Sequence, residues 1–303
     1  MTTPARRGRR ALLVALALTL TVVLAGCSAP LGSDPGGDPP TVTPASVPSD
    51  VPGGPSRAME LVPGLTSEGV ASPVRLAEAH RERLAGTTFT RRVTETITGP
   101  SGPLRTTNVT VRANLADFAF RYVRTQRAAP GYPVRASTPL LDVWSNGSHT
   151  LSRVGIGDDA RYRSERGLAY GEAVTGITGN EAVISTLSAF EVRVEAVDGG
   201  YRLTASGATR PDGLRPPTLT RNLTNATLSA FVTGEGLVRS YRVEYDVALD
   251  GRRLHVVETS RITGVGSTCV DRPEWATEAA RNGSGGRDVP GRGDPLGVRV
   301  GDP

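Results

Sequence analysis

The stretch "GEGLVRSYRVEYDVALDGRRLHVVETSRIT", residues 234–263, decides the fold. Leu237, Tyr241, Val243, Tyr245, Val247 and Leu249 fall on one side of its first arm, with charged and polar residues between them. A period of two is the signature of a strand with one apolar and one wet face. Asp250-Gly251 then supplies the residue pair that a tight hairpin turn favours. The segment therefore predicts two long antiparallel strands.

The same pattern recurs on the N-terminal side. Val109, Val111 and Ala113 alternate with Asn108, Thr110 and Arg112. Phe118, Phe120 and Tyr122 share a face in "DFAFRYV", 117–123, and Phe190, Val192 and Val194 do so in "FEVRVEAV", 190–197. Turn residues punctuate these runs: "GPSGP" at 99–103, Asn146-Gly147, and "DGG" at 198–200. Two helices interrupt the strands. "SPVRLAEAHRERLAG", 72–86, has Ser72 as N-cap, Pro73 at the first helical position and Gly86 as its stop, with Val74, Leu76, Ala77 and Leu84 as its apolar stripe. "NEAVISTLSAF", 180–190, reads as a second, shorter helix.

About nine or ten strands with one wet face each predict an antiparallel sheet. So long a one-sided sheet must curl or be covered. The expected class is mainly β with some α (α+β): a curved antiparallel half-barrel with a few helices on its concave side.

The two ends of the chain read differently. Residues 1–26 have four arginines, then an apolar run of roughly 15 residues, then small residues, the pattern of a secretory leader. The run is shorter than the roughly 20 residues that span a bilayer. It ends in Leu24-Ala25-Gly26-Cys27, which matches a lipobox, so Cys27 is the expected lipidation site and the membrane the expected partner. Arg9-Arg10-Ala11-Leu12-Leu13 also fits a twin-arginine export signal. Residues 27–62 are rich in Pro, Gly, Ser, Asp and Thr. They cannot bury enough apolar surface to offset their ordering entropy, and predict a tether. The tail, 281–303, has the same character. The domain is expected over 63–280, with the mature protein lipid-anchored on the extracytoplasmic face.

The formal net charge of +5 belongs mostly to the leader. Without Arg6, Arg7, Arg9 and Arg10 the chain carries 31 arginines, no lysine, and 30 acids. That balance gives no footprint for a nucleic-acid partner. With Cys27 acylated, Cys269 has no cysteine to pair with, so neither a disulfide nor a thiolate metal site is expected. His80, His149 and His255 are too scattered for a ligand set, so no metal is expected. No nucleophile elbow, metalloprotease helix, phosphate loop, calcium loop or dinucleotide fingerprint occurs, and no enzyme activity or cofactor is expected. The pair Asp158-Asp159 reads as a solvated turn.

Five of the seven asparagines lie in N-x-[ST] sequons: Asn108, Asn146, Asn222, Asn225 and Asn282. With Ser and Thr at about one residue in six, chance gives about one, so N-glycosylation is expected, at Asn146 first because it tops a hairpin. The apolar face leaves two readings open. Phe118, Phe120, Tyr122, Trp144, Tyr241, Val243 and Tyr245 either line a cavity for a lipid or other apolar ligand, or fill the core of a surface structural or protein-interaction module.

"DVWSNGSHTLSRV" (142–154), the 234–263 hairpin and "VDRPEWATEA" (270–279) together resemble haloarchaeal lipoproteins of unknown function. That family joins a lipobox and a Pro/Thr-rich tether to a repeated-hairpin domain. Halophile surface proteins are strongly acidic, and this chain departs from that pattern. More distantly the layout resembles the LolA/LolB carriers and the LppX and LprG lipoproteins. That resemblance implies a half-barrel closed by helices around an acyl-chain cavity.

Overall fold

The computed structural model describes residues 58–130, 140–156, 159–166, 176–214, 221–249 and 251–282. The expected leader, Cys27, the tether up to residue 57 and the tail from 283 on lie outside these residues.

The first strands are short. β1 (Glu60–Val62), β2 (Leu65–Thr66) and β3 (Gly69–Val70) form a three-stranded antiparallel sheet. β1 begins inside the stretch expected to be tether, because Leu61 and Val62 pack into the domain core. Next comes α1 (Pro73–Leu84). Ser72 caps it by accepting from the Arg75 N–H at 3.3 Å, and Pro73 occupies its first turn. Its buried side is Leu76, Ala77, Ala79, His80 and Leu84, whereas Val74, expected in the apolar stripe, is 49% exposed. In the first turn Val74 points away from the row that Leu76, His80 and Leu84 form at intervals of four.

Eleven strands then make one open antiparallel sheet. β4 (Thr88–Gly99), β5 (Gly102–Asn114), β6 (Ala119–Ala128), β7 (Leu140–Asn146), β8 (His149–Val154) and β9 (Arg161–Arg166) form a first meander. α2 (Asn180–Ser188) follows. A second meander runs through β10 (Arg193–Val197), β11 (Gly200–Ser206), β12 (Arg221–Thr233), β13 (Val238–Leu249) and β14 (Arg252–Thr263). The spatial order is β10-β11-β12-β13-β14-β4-β5-β6-β7-β8-β9, so the meanders meet at one seam, β14 against β4. The sheet is curved and not closed, as the alternation predicted.

The concave face holds the core. Tyr241, Val243, Tyr245 and Val247 of β13 pack with Leu254 and Val256 of β14, and with Leu76 and Ala77 of α1 and Val183 and Leu187 of α2. A second cluster unites Leu84 of α1 with Phe89, Val111, Ala113, Phe120 and Ile262 from the same face further along the sheet. Both helices lie on this side and pack on each other. A third helix, α3 (Trp275–Asn282), packs on the opposite, convex face. There Trp275, Ala276 and Ala279 meet Trp144 and Leu151.

Two residues expected on the cavity face are elsewhere. Trp144 pairs with Arg121, not with Tyr122, and alternation puts it on the convex side under α3. Phe118 is not in a strand. It closes the β5–β6 turn at φ +53° and is 45% exposed. Asn114 and Asp117 organise that turn: the Asn114 Nδ2 donates to Asp117 Oδ2 at 2.7 Å, and the Ala116 N–H to Asn114 Oδ1 at 3.2 Å.

Candidate functional site

A pocket of about 170 Å³ opens on the concave side between α2, the turn Pro211–Leu214 and strands β13, β14 and β4. Its floor is Val243 and Tyr245 with Glu258 and Arg91. Its roof is Ala182, Ser185 and Thr186 of α2 with Leu214. Strand parity explains the floor. Val243 pairs with Glu258, which pairs with Glu95, and Tyr245 pairs with Val256, which pairs with Ile97. Facing residues in adjacent strands share a face. One row of the concave surface is therefore Val243–Glu258–Glu95, and the next is Tyr245–Val256–Ile97–Arg105.

Charges thus stand in a largely apolar wall, and each finds a partner. The Tyr241 hydroxyl donates to Glu258 Oε1 at 2.6 Å. Burial, then the neighbouring Glu258 carboxylate, pushes the Tyr241 phenol well above its ordinary range. Burial does the same to Tyr245, aided by the carboxylates of Glu95 and Glu258. Arg105 forms an ion pair with Glu95 across β4 and β5. Arg91 is buried and donates from Nη1 to the Gly176 carbonyl at 3.3 Å. A buried guanidinium without such partners would be costly.

Behind Arg91 stands His80 of α1. Its Nε2 lies 3.1 Å from the Thr178 carbonyl oxygen, so the neutral ring donates there, and its Nδ1 is buried without a hydrogen-bond partner. Burial is the main cause that lowers its pKa to about 4; the Thr178 bond opposes this, and the Arg91 charge adds to it. Both phenols and this imidazole are therefore neutral near pH 7.

The expected cavity residues divide three ways. Val243 and Tyr245 line the pocket, and Tyr241 adjoins it through Glu258. Phe120 and Tyr122 share the concave face but belong with Val111 and Ala113, and burial raises the Tyr122 phenol. Trp144 and Phe118 are not on that face. The expectation missed Arg91, Glu258, Thr186 and Leu214. The signal for Arg91 was in "TFTRRVTETIT", 88–98, where it holds the same register as Phe89, Val93 and Ile97.

The sequons also differ. Asn146 accepts from the Ser148 and His149 N–H groups through Oδ1, at 3.1 and 2.9 Å, which orients its amide nitrogen away from the turn bonds. Asn225, at φ +54°, donates its Nδ2 to Asp246 Oδ2 at 2.7 Å. Asn108 is exposed on the convex face and accepts from the Thr94 hydroxyl at 3.0 Å. The side chains of Asn222 and Asn282 lie outside the described residues, as does Cys27. Cys269 is a free, exposed thiol.

No protein-family model matches the chain, and no curated protein matches it. Among solved structures, a DUF1329 family protein from Desulfovibrio piger is similar at 11% identity and a TM-score of 0.27, covering 69% of this chain and 97% of that one. A LolA superfamily protein from Nitrosomonas europaea is similar at 11% identity and a TM-score of 0.23, covering 67% and 96%.

Proposed function

We propose that this chain is a membrane-anchored extracytoplasmic lipoprotein that binds an apolar ligand on the concave side of its sheet. The observation that carries the ligand reading is the pocket under α2, with apolar walls from Val243, Tyr245 and Leu214. Arg91 and Glu258 at its floor give the ligand a polar end to meet, so a lipid with a small head group fits better than a pure hydrocarbon. The role is binding, not catalysis. The leader, Cys27 and the tether supply the anchor reading, and Asn146 is the first site for an N-glycan.

One observation favours a second reading. At about 170 Å³ the pocket is smaller than the roughly 300 Å³ and more of drug-sized ligand sites. A surface interaction module with a filled core would look like this.

Mass spectrometry of organic extracts from the purified chain separates the two. A recurrent lipid in near-stoichiometric amount supports ligand binding, and an empty extract supports the module. The anchor is tested apart from the ligand: Cys27→Ser should shift the protein out of the membrane fraction or stall leader removal. Processed, membrane-bound Cys27→Ser protein would exclude a lipid anchor on this residue.

A further inference from the structure

The convex face sorts its charges unusually. The sheet register sets Arg92 directly opposite Arg261, and Arg112 directly opposite Arg121. Arg92 and Arg112 are themselves diagonal neighbours, because Arg92 faces Thr110 across β4 and β5. Arg239, at the irregularity between β12 and β13, joins Arg261 around a shallow depression with Phe231 and Ser240. Like charges directly opposite each other destabilise a sheet. Here two such pairs occur on adjoining strands of a chain that has nearly as many acids as bases outside its leader.

The acids at the margin are already engaged. Asp142 holds Arg121 with both oxygens, and Glu244 is held by Arg242. Asp271 adds a negative charge beside Arg121. Arg92, Arg112, Arg239 and Arg261 are exposed, and among the described residues none of them makes an ion pair. Four guanidinium groups without an ion-pair partner among the described residues thus lie on the convex face from β13 to β5, on the side away from the α2 pocket.

We propose that this face docks on the anionic head groups of a lipid surface, with Arg92, Arg112, Arg239 and Arg261 as its contacts. A guanidinium fork suits phosphate oxygens and gives up its hydration more readily than an ammonium. The choice of lipid over another polyanion rests on the anchor reading. A chain tethered through Cys27 meets the membrane at high effective concentration, where individually weak arginine contacts suffice. Docked in this way, the domain keeps its concave pocket turned away from the membrane surface.

The test uses the chain from residue 28 onward, which keeps every described residue and lacks Cys27, so failure of the anchor is read separately. It is mixed with vesicles of phosphatidylcholine alone, or with one third phosphatidylglycerol, and sedimented. Binding to the anionic vesicles only is expected, weakening as salt rises from 0.05 to 0.5 M, roughly the range over which the Debye length falls below that of physiological salt. Arg92→Gln/Arg261→Gln should lower the partition coefficient on the order of twenty-fold, at about fivefold per arginine. Arg163→Gln/Arg210→Gln, at exposed arginines outside the patch, should leave it within twofold. Equal binding to neutral vesicles, equal losses in both double variants, or binding to soluble dextran sulfate without binding to vesicles would overturn the proposal.

Discussion

A Cβ placed on Gly179 would stand 2.4 Å from Cζ of Arg91. Gly179 caps α2 at φ +80°, where residues with a side chain are strained, and the buried guanidinium fills the space its missing side chain leaves. Gly179→Ala should therefore cost about 2 kcal/mol or more, from backbone strain and displacement of Arg91 together. Denaturant unfolding checks this. Gly199→Ala, also at positive φ but with open space around it, is the control and should cost about 1–2 kcal/mol from strain alone. Equal losses at both positions would show that Arg91 does not depend on the glycine.

His80 makes stability depend on pH. Its pKa is near 4 in the fold and near 6.5 when free, so between these values the unfolded chain binds more protons. Its contribution is fully present above pH 6.5 and is lost as pH falls toward 4. The loss should reach about 3 kcal/mol by pH 4, at 1.36 kcal/mol per pKa unit. His80→Gln keeps a donor for the Thr178 carbonyl and should flatten the melting temperature between pH 4.5 and 7. An unchanged slope in that variant would place the titrating group elsewhere.

On the convex side, Asp142 is 4% exposed. It accepts from Arg121 Nε at 3.1 Å, from Arg121 Nη2 at 2.8 Å and from Trp275 Nε1 at 2.8 Å. Asp142→Ala leaves these three N–H donors, two on Arg121 and one on Trp275, unpaired beneath α3. It should destabilise by about 3 kcal/mol and release the helix first. Loss of protection in residues 275–279 by hydrogen exchange, ahead of global unfolding, is the expected signature.

The pocket predicts an uneven response at its two floor residues. Val243→Phe projects into open space, so it should cost under about 1 kcal/mol, against about 1–3 for overpacking a filled core. It should also abolish uptake of a fluorescent fatty-acid probe. Tyr245→Ala should cost about 2 kcal/mol, less than the 3–5 typical of a fully packed aromatic, because part of its ring borders the pocket. Large losses at both positions, with no uptake by the parent chain, would favour the interaction module.

The hairpins were legible because their alternation is clean. In β13 the inward residues from Tyr241 to Val247 are all apolar, and Asp250-Gly251 marks the turn. The pocket was harder to see because β4 and β14 break that pattern. Arg91, Glu95 and Glu258 point inward beside Phe89, Ile97 and Val256, and cross-strand partners that no local pattern reveals make this tolerable. The face of Trp144 was ambiguous for another reason. β7 has Leu141 and Val143 on one side and Leu140 and Trp144 on the other, since α3 gives its convex face something apolar to meet. The short "PEWATEAARN" segment carries too few apolar residues to announce that contact.

The β14–β4 seam bears on how the molecule comes together. Every other pairing in the large sheet joins strands that neighbour one another in sequence, and such contacts close quickly. Thr90 must instead find Thr263, across nearly the whole domain. The two meanders can therefore zip up early and independently, each with one edge, β4 on one and β14 on the other, that only the finished sheet covers. Their merger is the natural slow step, and until it happens those two long edges add to β9 and β10 as places where a second copy could be captured. Mutations along Thr90–Thr98 should thus act on the rate of folding and on aggregation yield more than equally destabilising changes in β8 or β11.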